Sequence, residues 1–346
     1  MLKLFKYNPL LLTVLTAFLL GFILTGCGSE QPQSEVKPPK TAATAPNLAE
    51  PELTVLKVPI SADPTIPEIL IIGDELGFYQ KNGIKLNFVG AVPTTQHVAA
   101  VVSGEVDISP GKHVNRTIAG IAAGAKIRAI AAKTETTERV PHMIGIVPKD
   151  SPIKVPTDLV GKKIGIPTIG GCNEYTPYGW LSKFGLDDPK NQVEVIALPE
   201  KNLEQVLRQG EIDLAMTHKL PEEINRANEF RVVFSDFDVW GADGGATPFI
   251  ISEKFIQANP EKVKAFVAAT AEAINWTNEH PQEAREITAR RTNTDLSVIN
   301  EKYFAPNALI KPETVTVWID LLEKFGEIKP GLKAEQIYTN EFNPYN

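Results

Sequence analysis

A nine-residue pattern occurs twice in this chain. Residues 100–108 read Ala-Val-Val-Ser-Gly-Glu-Val-Asp-Ile and residues 206–214 read Val-Leu-Arg-Gln-Gly-Glu-Ile-Asp-Leu, so that Gly210 follows Gly104 by 106 residues. Each copy reads as the end of an amphipathic helix, a glycine stop and a short strand. Glycine takes the left-handed conformation that closes a helix, and an apolar–Asp–apolar run suits the strand that follows. A helix returning to a strand at matching places in two halves predicts two α/β lobes of similar build, facing each other across a cleft. The alternative is chance recurrence of a common helix-to-strand turn.

The pattern around the two copies alternates in the same sense. Strands are expected at 53–60, 84–89, 106–109 and 127–133, with helices at 65–78, 94–102 and 113–123 between them. Asp63 is a candidate cap for the first helix, with Pro64 near its start. A strand at 143–147 leaves this series. A second series follows, with strands at 163–166, 193–197 and 212–216 and helices at 173–184 and 203–208. A returning strand is expected at 249–252, then helices from 259 onward, at 281–291 and at 312–325. The βα order implies a parallel-type sheet wrapped by helices. The expected fold is therefore α/β and two-lobed, with lobe 1 formed by 53–144 plus 247–346 and lobe 2 by 145–246. Two chain crossings would make the hinge.

The leader speaks to location. Lys3 and Lys6 precede a run, 10–23, that is apolar apart from Thr and Gly. Such a run covers about 21 Å as a helix, short of a roughly 30 Å hydrocarbon core, and reads as a signal-peptide core for residues 1–26. Leu24-Thr25-Gly26-Cys27 resembles a bacterial lipobox. That predicts cleavage before Cys27, lipidation of its thiol, and an extracytoplasmic, membrane-anchored protein. An ordinary signal peptide with an incidental cysteine is the other reading. Residues 27–52 are poor in large apolar side chains and rich in Gln, Ser, Pro, Lys, Thr and Ala, as a flexible tether would be.

Composition excludes several classes. Cys27 and Cys172 are the only cysteines, so with Cys27 lipidated there is neither a disulfide framework nor a cysteine metal cluster. The net charge of −7, falling to −9 without the two leader lysines, argues against a nucleic-acid partner. The five histidines, His97, His113, His142, His218 and His280, are scattered, and no HExxH, Gly-x-Ser-x-Gly or Walker loop occurs. No cofactor, metal or catalytic residue is expected, and the protein reads as a monomer.

Several phrases in order resemble one family. Gly77-Phe78-Tyr79-Gln80-Lys81-Asn82-Gly83-Ile84, the Gly104-Glu105-Val106-Asp107 turn, Ser151-Pro152-Ile153-Lys154 through Asp158-Leu159-Val160-Gly161-Lys162-Lys163-Ile164-Gly165, and Gly210-Glu211-Ile212-Asp213 resemble the substrate-binding proteins of ABC importers. The group is the one serving nitrate, sulfonates, taurine and thiamine pyrimidine precursors. The resemblance covers roughly 53–285. It implies a type II periplasmic-binding-protein fold, a small-molecule ligand in the cleft, and delivery to ABC permease subunits. A sensor role is the alternative that leaves the binding chemistry intact. The same fold also serves a pyrimidine-synthase-like enzyme whose Cys-rich motif is missing here.

Ligands in open α/β sheets bind beyond the carboxyl ends of the strands, where helix N-termini favour anions. Candidate contacts are the residues after each strand: Ser61, Asp63, Thr94, Thr95, Gln96, Ser109, Lys112 and Thr134 in the first lobe, and Thr168, Gly170, Gly171, Cys172, Asn173, Thr217 and His218 in the second. A hydroxyl in Thr94-Thr95-Gln96 is suited to cap a helix and face a ligand, or to cap only. Residues 168–173 suit a backbone nest for an oxyanion, or a plain turn. The resemblance implies small hydroxyl residues and a His after the glycines. Cys172, Asn173 and Glu174 depart from that pattern, so Glu174 and Asp243 are alternative partners for an amine or ring nitrogen. Tyr175, Tyr178, Trp180 and Trp240 are candidates for stacking a planar ligand, or for core packing.

Overall fold

The parallel pairing of the first two strands sets the frame. In the computed structural model, which describes residues 53–61, 64–186 and 188–346, β1 (Thr54–Ile60) pairs in parallel with β2 (Ile84–Ala91), Leu56 opposite Leu86. The leader, Cys27, the tether and Asp63 lie outside the described residues. The single helix expected at 65–78 is two short ones, α1 (Ile69–Glu75) and α2 (Phe78–Lys81). Pro67 biases Ile66 away from helical angles, Glu68 is the extended N-cap, and Gly77 at φ 74° breaks the run. Next come α3 (His97–Ser103), β3 (Ile108–Pro110), α4 (Val114–Ala122) and β4 (Ile127–Thr134). Helix α3 starts later than expected, and its N-cap is Gln96, which makes no side-chain cap bond, rather than Thr94 or Thr95.

The strand that leaves the first series is β5 (Ile144–Pro148), and the second series contains β6 (Lys163–Ile166), α5 (Cys172–Ser182), β7 (Glu194–Ala197), α6 (Glu200–Arg208) and β8 (Leu214–Thr217). It continues with α7 (Pro221–Ala227), β9 (Phe230–Ser235) and α8 (Asp236–Trp240), none of which was expected from the sequence pattern. The chain then returns through β10 (Thr247–Ser252), α9 (Glu253–Ala258), α10 (Pro260–Glu279), α11 (Pro281–Thr292) and α12 (Glu313–Lys324).

The repeated phrase has one structural meaning in both lobes. Asp107 accepts a hydrogen bond on Oδ2 from the Lys57 amide (2.7 Å) and donates its own amide to the Lys57 carbonyl (2.9 Å). Asp213 does the same with Lys163, at 2.8 Å in each direction. Each aspartate thereby ties the start of the lobe's third strand to its first, β3 to β1 and β8 to β6. Gly104 and Gly210 close the preceding helices at φ 76° and 73°. With that tie, the first lobe runs β2-β1-β3-β10-β4 and the second β7-β6-β8-β5-β9. In both, the fourth position is an antiparallel strand that arrives from the other series: β10 lies between β3 and β4, and β5 between β8 and β9.

Helix α10 buries Val263, Phe266, Val267 and Ile274 against the first sheet, with Phe266 on Tyr79 and Phe249. Each such side chain contributes about 1.5–3 kcal/mol. In the second lobe Leu203 and Leu207 of α6 pack with Ile144, Ile146 and Phe230. Helix α12 joins the lobes, its Trp318 lying between Tyr175 of α5 (6.4 Å) and Trp240 of α8 (5.8 Å). Among the described residues no helix is long and apolar enough to cross a membrane.

Candidate functional site

A cavity of about 690 Å³ opens where the carboxyl ends of the parallel strands meet. The first lobe lines it with Ser61 and Glu68 after β1, Thr94 after β2, Lys112 and His113 after β3, and Lys133 and Thr134 at the end of β4. The second lobe lines it with Thr168 and Asn173 after β6, Glu200 and Lys201 after β7, and His218 after β8. His142 and Thr247, from the two crossings between lobes, complete the wall. This placement follows from the βα order: each strand delivers its next residues to the same edge of the sheet.

The first lobe supplies two lysines and a glutamate. The Lys133 ammonium is buried, 2 % of the residue being exposed, and makes no hydrogen bond or ion pair among the described residues. Burial pushes it down to about 8; Glu68 works against that shift and Lys112 adds to it. Lys112 lies 3.8 Å from Glu68 and has φ 38°, a strained angle for a lysine that the short turn after β3 imposes. The second lobe answers with a paired carboxylate. Glu200 accepts from the His218 amide (2.7 Å) and Thr217 Oγ1 (3.1 Å), and its Oε2 lies 2.8 Å from His218 Nδ1. Burial works to raise Glu200, but the His218 charge and these hydrogen bonds outweigh it and hold it at about 2.

Three histidines far apart in sequence meet here. His142 and His218 stand edge to face, 5.2 Å between centroids, and His113 lines the same cavity from the N-cap of α4. Burial, then Arg116, lowers His113 to about 3; burial, then Lys302, pushes His142 well below its ordinary value. Both rings are therefore neutral hydrogen-bonding groups. Cys172 Sγ lies 3.2 Å from His113 Nδ1, yet burial pushes the thiol up to about 12. The thiol is therefore protonated at neutral pH, and the pair holds no preformed thiolate.

Of the residues expected at the site, Ser61, Thr94, Lys112, Thr134, Thr168, Asn173 and His218 line the cavity. Thr95 and Gln96 point to solvent, and Ser109 is bonded to His97 beneath the sheet at 2.5 Å. Thr217 supports Glu200 from behind the wall. The expected nest at 168–173 is already engaged. The Gly170 amide donates to Glu174, its carbonyl accepts from Asn115 Nδ2 (2.9 Å), and the Ile169 carbonyl accepts from Arg116. Gly170 and Gly171 thus face α4 across the cleft mouth, and Cys172 faces His113. At Gly171 a Cβ would sit 2.8 Å from Asn173 Oδ1 and 3.0 Å from His113 Nε2, which leaves room for hydrogen alone. Glu174 folds back onto Gly170 and Tyr178, and neither it nor Asp243 lines the cavity. Tyr175, Tyr178 and Trp240 pack in the seam under α12, and Trp180 stacks on Phe234 at 4.3 Å.

The wall also holds residues that pattern reasoning passed over: Glu68, His113, Lys133, His142, Glu200 and Lys201. Lys133 carried a signal, being the second of two charges in the mostly apolar strand Ile-Arg-Ala-Ile-Ala-Ala-Lys-Thr and standing near its carboxyl end. A second depression, about 720 Å³, lies between α1 and α11 on the first lobe. Its Glu75 and Arg290 are paired with each other, and none of its lining side chains is among the buried unpartnered groups.

The family described as NMT1/THI5 like matches residues 68–284 of the chain. The chain belongs to that family. A candidate binding protein of Brucella abortus (strain 2308) is 23% identical over 317 residues, covering 86% of this chain and 94% of the relative. The 4-amino-5-hydroxymethyl-2-methylpyrimidine phosphate synthase of Legionella pneumophila is 25% identical, covering 80% of this chain and 87% of the relative. Among solved structures, the nitrate-binding protein NrtA of Synechocystis PCC 6803 matches with TM-score 0.66 and 16% identity, over 84% of this chain and 88% of its own. The aliphatic sulphonate binding protein SsuA of Escherichia coli matches with TM-score 0.63 and 16% identity, over 82% and 91%. These likenesses establish the two-lobed periplasmic-binding-protein fold for this family member.

Proposed function

We propose that this NMT1/THI5-like protein is the solute-binding component of an ABC importer. It closes its lobes over a small polar solute bearing an anionic group, of the sulfonate, taurine or nitrate type, and delivers it to a membrane permease. It works outside the cytoplasm as a monomer, tethered through acylated Cys27. The observation that carries this reading is Lys133, a buried ammonium without a partner among the described residues, facing an inter-lobe cavity beside Lys112. A buried charge is costly unless something pairs with it, and an anionic solute supplies the pairing. The fold likeness to nitrate- and sulphonate-binding proteins supports the same class.

A heteroaromatic or amine solute, such as a thiamine pyrimidine precursor, is the second reading. It is favoured by Glu68 and Glu200 in the same wall and by the likeness to a pyrimidine phosphate synthase. The reading as a binder is supported by the likeness to binding proteins. Thermal unfolding of the full-length chain in detergent tests the proposal against nitrate, bicarbonate, alkanesulfonates, taurine, aminopyrimidines and riboflavin. A ligand at 100 times its Kd adds about 2.7 kcal/mol and raises the midpoint by a few degrees. Stabilisation by one class supports a binding protein for that class. Turnover of a stabilising solute would refute the binder assignment.

A further inference from the structure

Two side chains of the cavity wall are buried and lack hydrogen bonds among the described residues. Asn173, 1 % exposed, leaves both Nδ2 and Oδ1 unpartnered, and His142, 4 % exposed, leaves both Nδ1 and Nε2 unpartnered. Buried polar groups are almost always satisfied, so groups without partners around a cavity point to what fills it. Both side chains sit in anchored backbone. Asn173 is in the first turn of α5, with Gly171 packed against its Oδ1. The His142 amide donates to Thr136 Oγ1 (3.0 Å), and its carbonyl accepts from Lys302 Nζ (2.6 Å).

The chemistry of these two groups is definite. A carboxamide presents N–H donors and a carbonyl acceptor, and a neutral imidazole presents one of each whichever tautomer it takes. A bare oxyanion offers acceptors only. It would satisfy Asn173 Nδ2 and one His142 nitrogen, leaving Asn173 Oδ1 and the other ring nitrogen uncovered. Resting on the reading of this cleft as the solute site, we infer that the solute carries an amide-type edge beside its anionic group. Such an edge is an N–H donor next to a carbonyl or ring-nitrogen acceptor, as in a carboxamide, a ureide or an aminopyrimidine. Asn173 reads it from the second lobe, His142 reads it from the hinge, and Lys133 holds the anionic group.

Calorimetry on the full-length chain with matched pairs of acids tests this. One pair is succinamate and monomethyl succinate; the other is 4-aminopyrimidine-5-carboxylate and pyrimidine-5-carboxylate. Ethanesulfonate and nitrate serve as bare oxyanions. The N–H-bearing member of at least one pair is expected to bind about ten- to a hundredfold tighter than its partner. Asn173→Leu is expected to abolish that difference. Equal affinities within both pairs overturn the inference, as does tightest binding by ethanesulfonate or nitrate, and either result leaves the anion-binding cleft standing. No binding by any of the six overturns both readings. Should Asn173→Leu fail to fold, the paired comparison on the unsubstituted chain decides.

Discussion

Replacing Lys133 by methionine should make the empty protein more stable and the loaded one less so. The ammonium is held at about 8 against an ordinary 10.5, with burial as the largest cause. One pKa unit is worth about 1.4 kcal/mol, so the depression corresponds to roughly 3 kcal/mol of destabilisation while the amine is charged in both states. The sign follows from proton counts. Between about 8 and 10.5 the unfolded chain binds more protons at this site than the folded one, so stability rises with pH across that window. Below about 8 the full penalty is present. Methionine fills a similar volume without a charge, so Lys133→Met should gain about 1–3 kcal/mol at pH 7. For a chain of this size that raises Tm by a few degrees. The gain should shrink as pH rises through the same window, because the native amine then loses its proton too. Glu68 keeps Lys112 as a neighbour at 3.8 Å, so it is not stranded by the change. The assay is thermal unfolding of both proteins from pH 7 to 10.5, with and without a stabilising anion. A variant less stable than the parent at pH 7, or one that keeps the parent's anion-induced shift, would falsify the assignment of Lys133 as a destabilising, ligand-pairing charge.

Three further outcomes are expected. Gly210 stands at φ 73° with open space where a Cβ would go, so Gly210→Val should cost about 1–2 kcal/mol through backbone strain alone and Gly210→Asn clearly less; equal costs in chemical denaturation would point to another cause. Asn115→Ala with Arg116→Ala removes the contacts from α4 to the Gly170 and Ile169 carbonyls, and at about 1 kcal/mol each should speed solute release five- to thirtyfold in stopped-flow measurements; an unchanged release rate would mean these contacts do not hold the cleft shut. Cys27→Ser should move the protein from the membrane to the soluble fraction, and unchanged fractionation would overturn the lipobox reading.

Much of the framework was legible because its signals are local. The repeated Gly-Glu-apolar-Asp turn announced two similar lobes, and its glycines need left-handed angles wherever the rest of the chain lies. Strands such as β6 and helices such as α11 followed from apolar spacing and from proline at the helix start. The split of the first helix was also local, in Pro67 and Gly77, but a continuous apolar run masked it. Strand β9 is local too, an aromatic and β-branched run that went unassigned. At the candidate site, the position rule that ligands lie after strands picked out Lys112, Asn173 and His218, which line the cavity.

By itself, then, the sequence determined where the chain turns, which lobes it builds and which strand ends point toward the cavity. Steric preference and side-chain periodicity act over a few residues and need no knowledge of distant neighbours. Tertiary structure alone decided which of those residues face one another. His113, His142 and His218 are separated by tens of residues, and only the two crossings bring them to one wall. The same assembly buries Lys133 and leaves the Asn173 carboxamide without hydrogen-bond partners among the described residues. It also draws Tyr175 and Trp240 under α12, away from the cavity. Burial, charge and unsatisfied hydrogen bonds are properties of a residue's surroundings, and for these residues the surroundings come from both lobes at once.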